Sequence, residues 1–148
     1  MRKIALGICF LALAACVAAP VTQMYPGPTL APSQHVIVRV DLLGRAFASQ
    51  RVDIEQVDDK PTLSTGEGIF SSASGASAVY VLPGKHHLRL RYRGPGTAVR
   101  ANLWFVGEAG GSYLAKVEQL GDGVRIWLED ERTGKPVGGV RGSADEPK

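Results

Sequence analysis

From His35 onward, apolar and polar residues alternate one for one. Val36, Val38, Val40 and Leu42 hold one phase, and Ile37, Arg39 and Asp41 the other, the pattern of a strand with one face in a core. The same period sets Val52, Ile54 and Gln56 against Arg51, Asp53 and Glu55. It returns at 78–82, 86–92, 99–106, 113–120 and 124–128. Between these stretches stand Asp58-Asp59-Lys60-Pro61, Pro83-Gly84, Gly94-Pro95-Gly96, 108–111, Gly121-Asp122-Gly123 and Thr133-Gly134-Lys135-Pro136, all turn chemistry. Residues 64–77 are rich in Ser and Gly and read as a loop, and 141–148 read as a frayed polar tail. No window shows helical periodicity with caps. Some seven short strands at about ten-residue spacing predict an all-β domain over 35–140, an antiparallel β-sandwich or small barrel.

The N-terminus follows a different pattern. Arg2 and Lys3 precede an unbroken apolar run over 4–19, sixteen residues long, short of the roughly 18 to 20 that span a bilayer as a helix. A basic start, a short apolar stretch and small residues near its end describe an export signal. Leu13-Ala14-Ala15-Cys16 resembles the lipobox of bacterial lipoproteins. That resemblance implies a signal peptide over 1–15, a diacylglycerol on the Cys16 thiol and acylation (palmitate) of the new amino group. Val17, where such lipoproteins carry Asp for inner-membrane retention, implies the outer membrane, facing the periplasm. The alternative is a plain secretory signal cut at an Ala-x-Ala site before Pro20. Two or three acyl chains hold a protein firmly where one does not. Residues 16–34 carry the lipidated cysteine and a linker with four of the nine prolines. The linker is either an extended spacer or packs on the domain through Tyr25-Pro26-Gly27-Pro28.

Composition sharpens this picture. The chain has 148 residues and two cysteines, Cys9 and Cys16, so the domain holds no disulfide, cysteine-ligated zinc or thiol nucleophile. Its formal charge is +3, from 17 Lys and Arg against 14 Asp and Glu. Loss of the signal removes Arg2 and Lys3 and no acid, leaving 15 against 14, or +1. Nucleic acid is therefore not an expected partner.

The stretch Val79-Tyr80-Val81-Leu82-Pro83-Gly84-Lys85-His86-His87-Leu88-Arg89-Leu90 resembles the strand, Leu-Pro-Gly turn and second strand of PEGA-like surface modules. Ile54-Glu55-Gln56-Val57-Asp58 is similar to their first strand, with Asp59 where those modules carry Gly. Residues 105–113 and 126–134 resemble small uncharacterised bacterial lipoproteins. Together these resemblances imply a small envelope β-sandwich and transfer no catalytic residue.

The sharpest chemistry lies in one strand. Lys85, His87, Arg89, Arg91 and Arg93 share a phase opposite His86, Leu88, Leu90 and Tyr92, which sets five candidate cations on one face about 6.8 Å apart. Such a row suits an anionic envelope ligand (lipid A, phospholipid or a cell-wall polymer). It equally suits a solvated face neutralised by acids such as Asp53 and Glu55. His86 and His87 point to opposite faces, so they do not predict a metal site, and His86 reads as packed or hydrogen-bonded. Glu129-Asp130-Glu131 lacks the spacing of a calcium loop. Trp104 and Trp127 share a phase with polar neighbours, which fits sugar stacking or cover at a sheet rim. No G-x-S-x-G, phosphate loop or H-E-x-x-H is present. The expectation is a non-enzymatic lipoprotein without cofactor or metal, anchored in the membrane through Cys16. It acts as a binding or structural module toward an envelope protein or an anionic glycolipid.

Overall fold

The computed structural model describes residues 21–41, 50–62, 75–121 and 123–148. The signal peptide and Cys16 lie outside these residues, as does most of the Ser- and Gly-rich loop. The protein is an all-β sandwich of two packed sheets, with no helix among the described residues.

Seven strands coincide with the seven alternating stretches: β2 (Val36–Val40), β3 (Arg51–Val57), β5 (Ala78–Val81), β6 (Gly84–Gly94), β7 (Thr97–Gly107), β8 (Ser112–Leu120) and β9 (Gly123–Asp130). Four further strands have two or three residues: β1 (Thr22–Gln23), β4 (Lys60–Pro61), β10 (Lys135–Val137) and β11 (Gly139–Val140). They lie at the sheet edges, too short to carry a period. One sheet runs β1-β5-β2-β8-β9-β10 and the other β11-β7-β6-β3-β4. Pairing is mainly antiparallel, but β1 with β5 and β2 with β8 are parallel. Edge strands β4 and β10 each carry a Lys-Pro pair, which discourages further pairing.

The inward phases of both sheets meet in one core. Phe105, Ile54, Leu88, Leu90, Leu128, Val36, Val38, Val57, Val79 and Val81 are its largest fully buried apolar side chains. Burying each contributes about 1.5 to 3 kcal/mol before entropic costs. Phe105 stands edge-on to Tyr113 at 5.3 Å between ring centres.

Strand β3 departs from strict alternation. Ile54 pairs with Leu90 and Gln56 with Arg89, leaving Glu55 as a bulge. The extra residue reverses the phase, so Val52, Ile54 and Val57 face the core and Gln56, expected there, turns outward.

The turns follow their chemistry. Asp58 and Asp59 link β3 to β4 with φ of 49° and 62°, the doubly left-handed geometry of a two-residue hairpin. Gly138, at φ 71°, carries the chain from β10 of one sheet to β11 of the other. The Pro-rich segment joins the fold ahead of His35. Thr22 and Gln23 pair with Val79 and Tyr80, and Tyr25 is buried with its hydroxyl accepting from the Leu30 N–H at 3.2 Å.

Candidate functional site

The basic row lies on the outer face of the β6–β7 hairpin. Alternation sends Leu88, Leu90 and Tyr92 into the core and the odd-numbered residues outward. Across the ladder, Lys85 faces Val106, His87 faces Trp104, Arg89 faces Asn102, Arg91 faces Arg100 and Arg93 faces Ala98. On the other flank β3 sets Gln56 beside Arg89, Asp53 beside Arg91 and Arg51 beside Arg93. All five candidate cations thus share one face, bordered by Trp104, Asn102 and Arg100.

Their partners divide the row into distinct parts. Next to the Arg93 end, Arg91 Nη1 lies 3.0 Å from Glu55 Oε1, while Arg100 Nε lies 2.9 Å from Glu55 Oε2. The bulge at Glu55 lets one carboxylate bridge two guanidinium groups that would otherwise repel across the ladder. Burial works against ionisation of Glu55, but hydrogen bonds and charge from Arg100 and Arg91 outweigh it. Its carboxyl is held below the ordinary range.

At the Lys85 end, the acid comes from the far C-terminus. Glu146 Oε1 lies 2.8 Å from Lys85 Nζ and 2.6 Å from His87 Nε2. Glu146 Oε2 accepts from the Gly142 N–H at 2.6 Å. The Gly142 bond first, then Lys85 and His87, push this carboxyl down to about 2. Residues 141–148, read from the sequence as frayed, therefore lie along this face. Arg141 forms a two-pronged pair with Asp59 at 2.7 and 3.0 Å, and Trp104 Nε1 donates to Ser143 Oγ at 3.2 Å.

The remaining two cations have weaker company. Arg89 Nε donates to the Asn102 amide oxygen at 3.1 Å. Arg93 Nε is buried with no hydrogen-bond partner among the described residues. Asp53, which register sets beside Arg91, is fully buried and accepts from Arg51 Nε at 2.7 Å instead.

Outside the row, His86 packs 5.7 Å from the Phe105 ring and lies 2.7 Å from both Asp58 Oδ2 and the Leu82 carbonyl. His35 is buried against Tyr80, with ring centres 4.2 Å apart. Among the described residues, no three His, Cys, Asp or Glu side chains converge as metal ligands. Glu131 pairs with Arg39 and Ser112, and Asp130 Oδ1 accepts from the Arg132 and Thr133 N–H groups, which closes the turn. The Arg125 guanidinium stands 5.2 Å over the Trp127 ring, so that aromatic face is already taken.

A cleft of about 260 Å³ opens between the turns of the β6–β7 and β8–β9 hairpins, lined by Tyr92, Thr97, Gln119 and Val124 among others. Its walls are turn and strand-end residues, with no reactive pair to mark them in the sequence. The signal that sequence reasoning missed is Glu146, the second of two adjacent acids in a polar tail. No protein-family model, curated protein or solved structure matches the chain.

Proposed function

We propose that the protein is a bacterial envelope lipoprotein, acylated at Cys16 and held at the periplasmic side of the outer membrane. Its β-sandwich acts there as a non-enzymatic binding or structural module for a protein partner. The observation that carries this reading is the seating of two carboxylates of the chain itself, Glu55 and Glu146, in the basic row. A face built for lipid phosphates keeps its guanidinium forks open to the headgroups. Here Arg91 and Arg100 each turn one guanidinium nitrogen to Glu55, so the row already engages protein carboxylates.

The anchor is supported by the sixteen-residue apolar run that contains Leu13-Ala14-Ala15-Cys16 in its second half. The PEGA-like resemblance gains support from Asp59, which at φ 62° takes the left-handed conformation that suits the glycine of those modules. Arg89, whose hydrogen bond among the described residues goes to the neutral Asn102 amide and whose charge is felt by Asp59, supports a second reading in which an anionic glycolipid docks at the centre of the row.

Cross-linking in cells separates the two. A photoreactive residue in place of Arg89, with one in place of Arg125 on the other sheet as control, is expected to capture a discrete protein adduct. A glycolipid adduct specific to position 89 overturns the protein-partner reading.

A further inference from the structure

We propose that the patch formed by Lys85, His87 and Trp104 is a binding site for acidic peptide segments, closed in this structure by the chain's own C-terminal strap with Glu146 as internal ligand. The proposal rests on the protein-partner reading above and names where, and by what chemistry, that partner docks.

The seat satisfies a carboxylate from several sides. Lys85 Nζ and His87 Nε2 hold one oxygen, at 2.8 and 2.6 Å, and the Gly142 N–H holds the other. The Glu146 side chain is 13% exposed, while Lys85 and His87 keep 34% and 26% of theirs in water, so the seat lies at the surface. The site also binds the peptide around the acid: Lys85 Nζ donates to the Pro147 carbonyl, and the indole N–H of Trp104 donates to Ser143 Oγ. These contacts lie on either side of the acid, at Ser143 and Pro147 of one stretch of chain, which is why the chemistry points to a peptide.

The strap is built to come off. Arg-Gly-Ser-Ala-Asp-Glu-Pro-Lys carries no apolar side chain larger than alanine or proline, so it anchors nothing in the core. What holds it is a set of surface ion pairs and hydrogen bonds, each of small net worth. Segments held this way open at far lower free energy than core strands. Gly138, left-handed and pressed against the Trp104 carbonyl, fixes where the strap begins, while Gly142 at φ 83° lets it turn back over the face. With the strap lifted, Lys85, His87 and Trp104 stand together at one end of a row that continues through Arg89. An acidic segment of a partner is the charge complement of such a strip.

The test uses the purified full chain and a fluorescent peptide of sequence Gly-Ser-Ala-Asp-Glu-Pro-Lys. Glu146→Gln removes the internal ligand and is expected to bind the peptide about tenfold tighter than wild type, with Lys85→Gln added to it reversing the gain. Replacing the peptide's Glu with Gln should weaken binding by a similar factor. The Trp104 indole N–H resonance reports both the retained fold and the occupied seat in every variant. Equal affinity of wild type and Glu146→Gln, or undiminished binding after Lys85→Gln, overturns the proposal. Capture of vesicles containing phosphatidylglycerol by Glu146→Gln, without peptide binding, assigns the patch to phosphates and overturns it too. Because these readouts are made in purified protein, their failure is distinct from failure of the cellular cross-linking.

Discussion

Among the described glycines, Gly138 is the one where an added carbon would come closest to another atom. The residue has φ 71°, and a Cβ built there would lie 1.9 Å from the Trp104 carbonyl oxygen. An alanine incurs about 1 kcal/mol for the left-handed backbone alone. It must also push β11 away by about 1 Å to reach even the closest tolerated approach of 3.0 Å. That displacement breaks the pairing of Gly139 with Trp104 and of Val140 with Leu103, and the bond from the Arg141 N–H to the Asn102 carbonyl. At about 0.5 to 1.5 kcal/mol per lost bond, Gly138→Ala should destabilise the protein by about 3 kcal/mol. Gly134 is the control: its φ is 65°, yet nothing lies within 4 Å of its added Cβ, so Gly134→Ala should cost only the backbone term of about 1 kcal/mol. Urea unfolding followed by tryptophan fluorescence measures both. Equal losses at the two glycines would refute the claim that close approach of β11 to β7, rather than backbone conformation, fixes the crossing between the sheets.

Two further expectations concern the core and the row. Phe105 is fully buried between Tyr113 and His86, so Phe105→Ala should cost about 3 to 5 kcal/mol in the same assay; a loss below about 1 kcal/mol would show that the two sheets do not close over this ring. Glu55, Glu131 and Glu146 all have folded pKa values below 4.5. Their stabilisation is complete above about pH 4.5 and is lost as pH falls through the folded values, toward about 2 for Glu146. Acid unfolding of Glu55→Gln should accordingly be shallower than that of wild type, at a neutral-pH loss of no more than about 1 kcal/mol; superimposable acid profiles would contradict the bridge to Arg91 and Arg100.

The seven long strands are legible because a sheet with one face in a core must alternate, and their side chains do so plainly from Val36 to Leu128. The phase that gathers Lys85, His87, Arg89, Arg91 and Arg93 on one face follows from the same rule. Three things escape it. Strands of two or three residues, such as β1 and β11, are specified by what they dock on and carry no period of their own. The bulge at Glu55 reverses a phase that strict alternation assigns to Gln56, and only the demand that Val57 be buried reveals it. The third is long-range pairing: Glu146 reaches Lys85 and His87 across some sixty residues of sequence, after the chain has crossed between sheets at Gly138. A polar octapeptide with no apolar pattern holds no local sign of where it will lie. Asp53, an evident partner for the row, is instead engaged by Arg51 two residues away on its own strand.

That the protein is held at the membrane by lipid on Cys16, with its basic face engaged by protein carboxylates, is tested most directly by fractionating cells that express three forms: wild type, Cys16→Ser and Arg89→Gln/Arg91→Gln. Wild type and the arginine variant are expected to sediment with the outer membrane and carry the acyl mass, and Cys16→Ser to appear in the soluble periplasm without it. A Cys16→Ser protein that stays in the membrane fraction at unchanged mass, or an arginine variant released from it, would contradict the account.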